Sequence, residues 1–180
     1  GGTAVNIPGG EIYTSMQTGV IDAVEWVGPY NDLALGLHEV AEYYYYPGWH
    51  EPGAMLEFIV NGAALASLPD DLKAIVRDAA RATNQDMLDE FTARNNAALE
   101  TLVNRHAVKL RRLPDDVLAL LEEKSREVLA KLVAGDPMAR KVYDSYGDYL
   151  EAVRAYHGIS EQAYINARSE VLGDPVPERQ

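Results

Sequence analysis

Two short stretches of the sequence each place a glutamate within two residues of a tryptophan at a rigid turn. They are Glu25-Trp26, which precede a Gly-Pro turn, and the group Trp49, His50 and Glu51 inside PGWHEPG. Carboxylate oxygens and the backbone carbonyls exposed by such turns are ligands for hard cations, and each indole adds a flat apolar wall. Because the chain has no cysteine, the pattern favours Na+, Ca2+ or Mg2+ over zinc. We therefore predict a shared oxygen-ligand metal site.

Each of these residues also has a simpler interpretation. A glutamate at the end of a strand is most often a solvated surface charge, and Trp49 could instead plug the core beneath a loop. A third alternative is an enzyme that uses His50 as a base, with Glu25 and Glu51 as metal ligands. The helical H-E-x-x-H arrangement is absent, because Pro-Gly follows the glutamate and no second histidine stands four residues on.

Charge is distributed unevenly along the chain. The net charge is -12, and no lysine or arginine precedes Lys73. Ten acidic residues stand in that first stretch: Glu11, Asp22, Glu25, Asp32, Glu39, Glu42, Glu51, Glu57, Asp70 and Asp71. Nucleic-acid binding needs a basic surface, so this class of partner is disfavoured. An anionic ligand held by the first stretch needs its counter-charge from a metal ion or from protein outside the stretch.

Composition places the chain among ordinary globular proteins. It has 180 residues, of which 47% are hydrophobic and 24% charged, enough for one domain with a sizeable core. No apolar run approaches the ~18 residues of a membrane span. The first residues contain neither an initiator methionine nor a signal segment, so we expect processing or truncation to have removed the start.

Hydrophobic periodicity predicts a mixed first part followed by helices. Strands are expected at residues 3–7, 21–26, 43–46 and 54–60, with a helix at residues 11–19 and a turn or short helix at residues 30–37. LPDD then begins a helix that keeps one apolar stripe past residue 106 and is longer than ~50 Å. VKLRRL predicts an edge strand, and a second LPDD, residues 137–156 and residues 160–171 predict three more helices. The segments are therefore 1–66 (mixed α/β, ligand cleft), 67–107 (long helix), 108–135 (strand and helix), 136–172 (C-terminal helices) and 173–180 (tail).

One stretch also resembles a known family. GGEIYTSMQTGVIDAVEW resembles solute-binding proteins of tripartite ATP-independent periplasmic (TRAP) transporters, in which an E-x-Y-x-x-x-Q-x-G helix leads into D-[GA]-x-E. With YYYYPGWHEPG, it is similar to the branch that binds 2-oxoacids or 2-hydroxyacids together with a metal ion. SYGDYLEAVRAYHGISEQAYINAR is similar to that branch's C-terminal helices, which exchange between the subunits of a dimer. The resemblance covers nearly the whole chain but only roughly the C-terminal half of the family's protein.

The resemblance implies a fold and a function. The fold is an α/β lobe of a type II periplasmic binding protein, with a long connecting helix and its partner lobe largely absent. The function is capture of a small 2-oxoacid or 2-hydroxyacid with Na+ or Ca2+ in the periplasm, without catalysis, for delivery to a membrane permease. A metal-dependent hydrolase or lyase is the runner-up, and a mere dimerisation module comes third.

The resemblance also implies roles for particular residues. Glu25 ligates the metal through its carboxylate and Trp26 through its backbone carbonyl, while Glu51 is a further ligand or accepts a hydrogen bond beside the metal. Glu25, Trp26 and Trp49 contact the solute. The family's arginine and glutamine, which hold the solute carboxylate and help to ligate the metal, lie on the absent lobe. The C-terminal helices are expected to form a homodimer.

Overall fold

The structure is a computed structural model that describes residues 2–53 and 56–172. Its internal contacts divide the chain into two units, residues 1–118 and residues 119–180. The described elements are α1 (Gly9–Gln17), α2 (Pro29–Leu35), a 3-10 helix (Leu37–Glu39), β1 (Tyr43–Tyr46), α3 (Gly62–Ser67), α4 (Asp70–Asn104), β2 (Lys109–Arg112), α5 (Asp115–Gly135), α6 (Pro137–His157) and α7 (Glu161–Leu172). The boundary between the two units falls inside α5. The division of the sequence into five segments stays a prediction.

The predicted long helix is confirmed as α4, whose 35 residues correspond to a length of about 50 Å. Pro69 stands just before it, and Asp70 and Asp71 lie in its first turn, where they complement the positive end of the helix dipole. Its buried residues, Ala98 and Leu102, lie in its C-terminal part. The remaining buried apolar side chains of the first unit come from α1, the 3-10 helix and the residue before β2: Ile12, Leu37 and Val108.

Helix α2 packs against α4 through Tyr30. The Tyr30 backbone amide donates to Oδ1 of Asn95 at 2.9 Å, and its ring meets the Phe91 ring edge-on, with centroids 6.3 Å apart. The Arg94 guanidinium lies 5.4 Å from the Tyr30 ring centroid, a cation–π contact. These contacts fix the position of the chain that enters α2, which is the segment carrying Glu25 and Trp26.

Strands β1 and β2 form a two-stranded parallel sheet in which Tyr43 lies opposite Lys109 and Tyr46 opposite Arg112. The ladder is extended at both ends, by the Lys109 amide donating to the Glu42 carbonyl at 2.9 Å and the Leu113 amide donating to the Tyr46 carbonyl at 2.8 Å. Both strands were predicted from the sequence, and both are confirmed. Parallel pairing requires a long crossover connection, which α3 and α4 supply.

The other predicted strands are wrong. Residues 3–7, 21–26 and 56–60 are irregular in the structure, and residues 54 and 55 of the last predicted strand lie outside the described part. A β-rich sequence becomes a strand only when a neighbouring strand bonds its backbone. Within residues 2–53 and 56–172, pairing is confined to β1 and β2.

Helix α3 was not predicted, because Asn61-Gly62, a dipeptide typical of turns, follows the strand that was expected at residues 54–60. Asn61 is instead an N-cap, since its Oδ1 accepts a hydrogen bond from the Ala64 amide at 2.9 Å. Helix α1 begins at Gly9, two residues before the predicted start, and Gly19 after it has a left-handed conformation, with φ of 72°.

The second unit contains most of α5 together with α6 and α7, all three of which were predicted. Asp136 caps α6, because its Oδ1 accepts from the Met138 amide at 2.7 Å, and Pro137 occupies the first turn. Large apolar side chains on α6 and α7 are exposed: Met138, Val142, Tyr143, Tyr146, Tyr149, Tyr156, Tyr164 and Ile165. Among the described helices, none has both the length and the apolar character needed to cross a membrane.

Candidate metal and carboxylate-binding site

Three side chains singled out in the sequence lie together in the structure. One oxygen of Glu25, one ring nitrogen of His50 and one oxygen of Glu51 all lie within 4.8 Å of one another. His50 Nε2 is 3.8 Å from Glu25 Oε2, and the two side chains are 40% and 61% exposed. Separations of this size suit atoms that share one cation, and the group is open to solvent.

The first arm of the site, residues 25–28, runs through irregular backbone between α1 and α2. The Trp26 ring covers Gly9 at the start of α1 so closely that a Cβ added to Gly9 would lie 2.7 Å from Trp26 Cη2. Any larger residue at Gly9 would force the Trp26 ring to shift, since real Cβ atoms do not approach other atoms this closely. At its other end the first arm is tied to Asp32, whose Oδ1 accepts from the amides of Val27 at 3.4 Å and Gly28 at 3.2 Å.

The second arm, residues 47–51, follows β1 directly. It folds back tightly, because a Cβ added to Gly48 would lie 2.9 Å from the carbonyl oxygen of Glu51. The Trp49 and His50 rings lie against each other, with centroids 4.7 Å apart. Trp49 is 45% exposed, so it does not plug the core as the simpler interpretation of the sequence held.

Beneath the two arms lies a pair that the sequence analysis did not identify. Asp32 is 7% exposed, and the Tyr44 hydroxyl donates to its Oδ2 at 2.5 Å. Burial raises the pKa of the Asp32 carboxyl, while the hydrogen bonds from Tyr44, Val27 and Gly28 act against that rise. Burial and the Asp32 carboxylate together raise the pKa of Tyr44. The only sequence signal was an acid in the first turn of a helix, which is common for reasons of helix dipole alone.

The arrangement favours cation binding. Two carboxylates held this close repel each other, and a cation between them removes the repulsion while it gains two charged ligands. The imidazole of His50 can act as a third ligand or donate to a carboxylate. The Trp26 backbone carbonyl, predicted as a ligand from the resemblance, remains a prediction.

Comparison with known proteins identifies the family to which the chain is similar. Residues 1–136 match the family described as bacterial extracellular solute-binding protein, family 7. A monocarboxylate 2-oxoacid-binding periplasmic protein of Nostoc sp. (strain PCC 7120) is 35% identical over 163 residues, which cover 91% of this chain and 44% of the relative.

Two solved structures are also similar. A TRAP transporter solute-binding protein from Bordetella bronchiseptica RB50 superimposes with a TM-score of 0.85 and 31% identity, over 93% of this chain and 50% of that one. It is a mixed-occupancy dimer with copurified calcium and picolinate in one active site and the other site apo. A TRAP periplasmic solute-binding protein from Rhodobacter sphaeroides, in an apo open structure, gives a TM-score of 0.55 and 25% identity, over 82% of this chain and 47% of that one.

The chain spans about half the length of these relatives. The expected fold class is confirmed, since the helices and small sheet form part of a TRAP periplasmic binding protein fold. The relatives are solute-binding proteins of transporters and not enzymes. The chain belongs to the bacterial extracellular solute-binding proteins of family 7, the DctP family.

Proposed function

We propose that this chain forms part of the periplasmic solute-binding subunit of a TRAP transporter, which captures a small 2-oxoacid or 2-hydroxyacid together with a metal ion. The observation that carries the proposal is the convergence of Glu25, His50 and Glu51 within 4.8 Å. Its support is the similarity to a 2-oxoacid-binding protein and to a protein that copurified with calcium and picolinate.

Each residue has a distinct role in this proposal. Glu25 and Glu51 supply carboxylate ligands, and the Trp26 backbone carbonyl supplies a third oxygen. The exposed rings of Trp26 and Trp49 cover the carbon skeleton of the solute. Further ligands and the counter-charge of the solute carboxylate come from parts of the family's protein that this chain does not span.

The proposed cation is Ca2+ in preference to Na+. Two carboxylates and one solute carboxylate bring three negative charges to the cation, so a divalent ion leaves a smaller net charge in a cleft that closes and excludes water. Ca2+ also accepts six to eight oxygen ligands in flexible geometry, which suits a site completed from two sides. The calcium in the Bordetella protein supports this choice.

The proposed mechanism is capture followed by closure, without a chemical step. Closure around the cation and solute brings the two sides of the cleft together and presents a changed surface to the membrane permease. The solute is then released unchanged on the far side.

Calorimetry on the protein as its gene encodes it tests the proposal. Pyruvate, 2-oxobutyrate and lactate are titrated with Ca2+ present, with a chelator present, and into the variant Glu25→Gln. We expect micromolar binding of at least one acid, loss of that binding with chelator, and an affinity about ten-fold or more lower in Glu25→Gln. The reason is that a lost bond to a charged group costs about 1.5–3 kcal/mol.

Asp78→Asn is the matched control for this substitution. Asp78 is an exposed carboxylate on α4 that pairs with Arg81 at 3.5 Å, so its neutralisation leaves solute affinity unchanged. If neither the chelator nor Glu25→Gln changed the affinity for any of the three acids, the metal-assisted site would be refuted.

A further inference from the structure

Within the described part of the chain, Asp32 is the charged residue that is buried, with 7% of its surface exposed. A buried carboxylate is costly unless donors satisfy it, and three donors approach this one. They are the amides of Val27 and Gly28 on Oδ1 and the Tyr44 hydroxyl on Oδ2. The three donors come from two separate parts of the chain.

The two amides belong to the first arm of the site. Val27 and Gly28 immediately follow Glu25 and Trp26, so the bonds to Asp32 fix the backbone two residues beyond the proposed carboxylate ligand. Asp32 itself lies in the first turn of α2, which Tyr30 holds against α4. The first arm is therefore anchored to the long helix through Asp32.

The hydroxyl belongs to the strand that leads into the second arm. Tyr44 lies within β1, and the register with β2 places it opposite Leu110. Two residues after Tyr44 the strand ends, and the second arm begins with a tight fold between Gly48 and Glu51. Because β1 and this fold are both short and restrained, the position of Tyr44 constrains the position of Glu51.

A purely local role for Asp32 explains two of these three contacts. An acid in the first turn of a helix commonly accepts bonds from nearby amides, and that accounts for Val27 and Gly28. It does not account for the bond from Tyr44, which comes from a different element. The two arms are therefore linked at two places. One link is the hydrogen bond between Asp32 and Tyr44, and the other is the group in which Glu25 and Glu51 lie together with His50.

We infer that Asp32 and Tyr44 act as a clamp that sets the separation of the two arms, and so the fit of the cluster to its cation. The inference rests on the proposed function, since it assigns the pair a positioning role for that same site. Neither side chain belongs to the group of Glu25, His50 and Glu51 whose ligand atoms lie within 4.8 Å of one another. The clamp acts through the backbone of the first arm and through β1.

Hydrogen exchange in the metal-free protein tests the clamp without relying on cation binding. Tyr44→Phe keeps the ring and removes the hydroxyl. We expect amide exchange about ten-fold faster at Val27 and Gly28, the change in protection that a lost hydrogen bond gives. Exchange in the second arm should rise as well.

Tyr13→Phe is the matched control. Tyr13 also donates to a carboxylate, that of Glu39, at 2.7 Å, but it lies on α1 and outside both arms. Its loss leaves exchange in both arms unchanged. Asp32→Asn is the second variant, and it should loosen the same two arms even if Tyr44→Phe folds poorly.

Ca2+ affinity gives the functional measurement. We expect Tyr44→Phe to bind Ca2+ about 10- to 100-fold more weakly, the usual effect of losing a group that orients a metal ligand, and Tyr13→Phe to bind as the wild type does. Faster exchange confined to β1, or an unchanged Ca2+ affinity in a loosened Tyr44→Phe, would overturn the clamp. A wild-type protein that binds no Ca2+ would overturn the proposed function, and the exchange comparison alone would then decide the clamp.

Discussion

The Asp32 carboxyl lies in buried surroundings that disfavour its charged form. Burial raises its pKa more than the hydrogen bonds lower it, so the folded chain holds the proton to a higher pH than the unfolded chain. Its contribution to stability is fully present below the unfolded-state pKa, near 3.8. That contribution is lost as the pH rises through the folded-state pKa.

We therefore expect the wild type to gain stability relative to Asp32→Asn as the pH falls from 7 to about 4. Denaturant titrations at several pH values, with chelator present, measure the difference in the free energy of unfolding. Glu39→Gln is the control, since Glu39 is an exposed carboxylate that also accepts from a tyrosine. A wild-type advantage that instead grew with rising pH would mean that the hydrogen bonds outweigh burial.

The surface of the site was easier to foresee than the pair beneath it. Glu25 and Glu51 each stand within two residues of a tryptophan and near a turn, a pattern visible within a few residues of sequence. The burial of Asp32 depends on Tyr44, which reaches it from another element. Tyr44 is one of four consecutive tyrosines, and composition alone cannot tell which of the four turns inward.

At the scale of elements, α1 positions the first arm by offering the Trp26 ring a surface without side chains. Gly9 and Gly10 begin the helix together, yet only Gly9 lies under the ring. A Cβ on Gly9 would meet Trp26 Cη2 at 2.7 Å, whereas a Cβ on Gly10 would meet nothing within 4 Å. Substitutions of these two adjacent glycines can therefore be compared directly.

We expect Gly10→Ala to raise the melting temperature, because alanine is favoured over glycine in a helix by up to about 1 kcal/mol. Gly9→Ala should lose that gain and displace the Trp26 ring. Tryptophan fluorescence in a Trp49→Phe background reports the ring directly. Identical melting temperatures and spectra for the two alanine variants would show that the Trp26 ring does not rest on Gly9.

Helices were predicted well and strands poorly, for a physical reason. The two LPDD sequences, Asp136-Pro137 and the glycine after α1 carry their signals within a turn of the helix end. A strand depends on a partner elsewhere in the chain, so residues 21–26 have β-forming side chains but no ladder. The parallel register of β1 with β2 lay beyond any local pattern.

For the whole molecule, the exposed apolar side chains of α6 and α7 bear on assembly. Tyr146, Tyr149 and Tyr156 are 63%, 71% and 65% exposed, an arrangement typical of surfaces that other protein covers. The Bordetella protein is a dimer, which agrees with the expectation from the sequence that the C-terminal helices form a homodimer.

We expect the intact chain to be dimeric by light scattering and a chain ending at Gly135 to be monomeric. Tyr149→Arg serves as a point variant. A charge in the middle of an apolar interface disfavours association, whereas the fold of the single chain tolerates the substitution because Tyr149 is exposed there. Asp78→Asn, on α4, is the control that stays dimeric. A truncated chain that remained dimeric would place the interface elsewhere.

The pairing of β1 with β2 has a consequence for the order of folding. Between the two strands lie α3 and the whole of α4, so their ladder closes a long loop at a large entropic cost, whereas helical contacts form early. The second arm follows β1 directly in the chain and is therefore among the last parts to take its native position. A cation that binds to both arms therefore has no site on the chain before the two strands pair. Bound Ca2+ should accordingly slow unfolding and leave the rate of folding nearly unchanged.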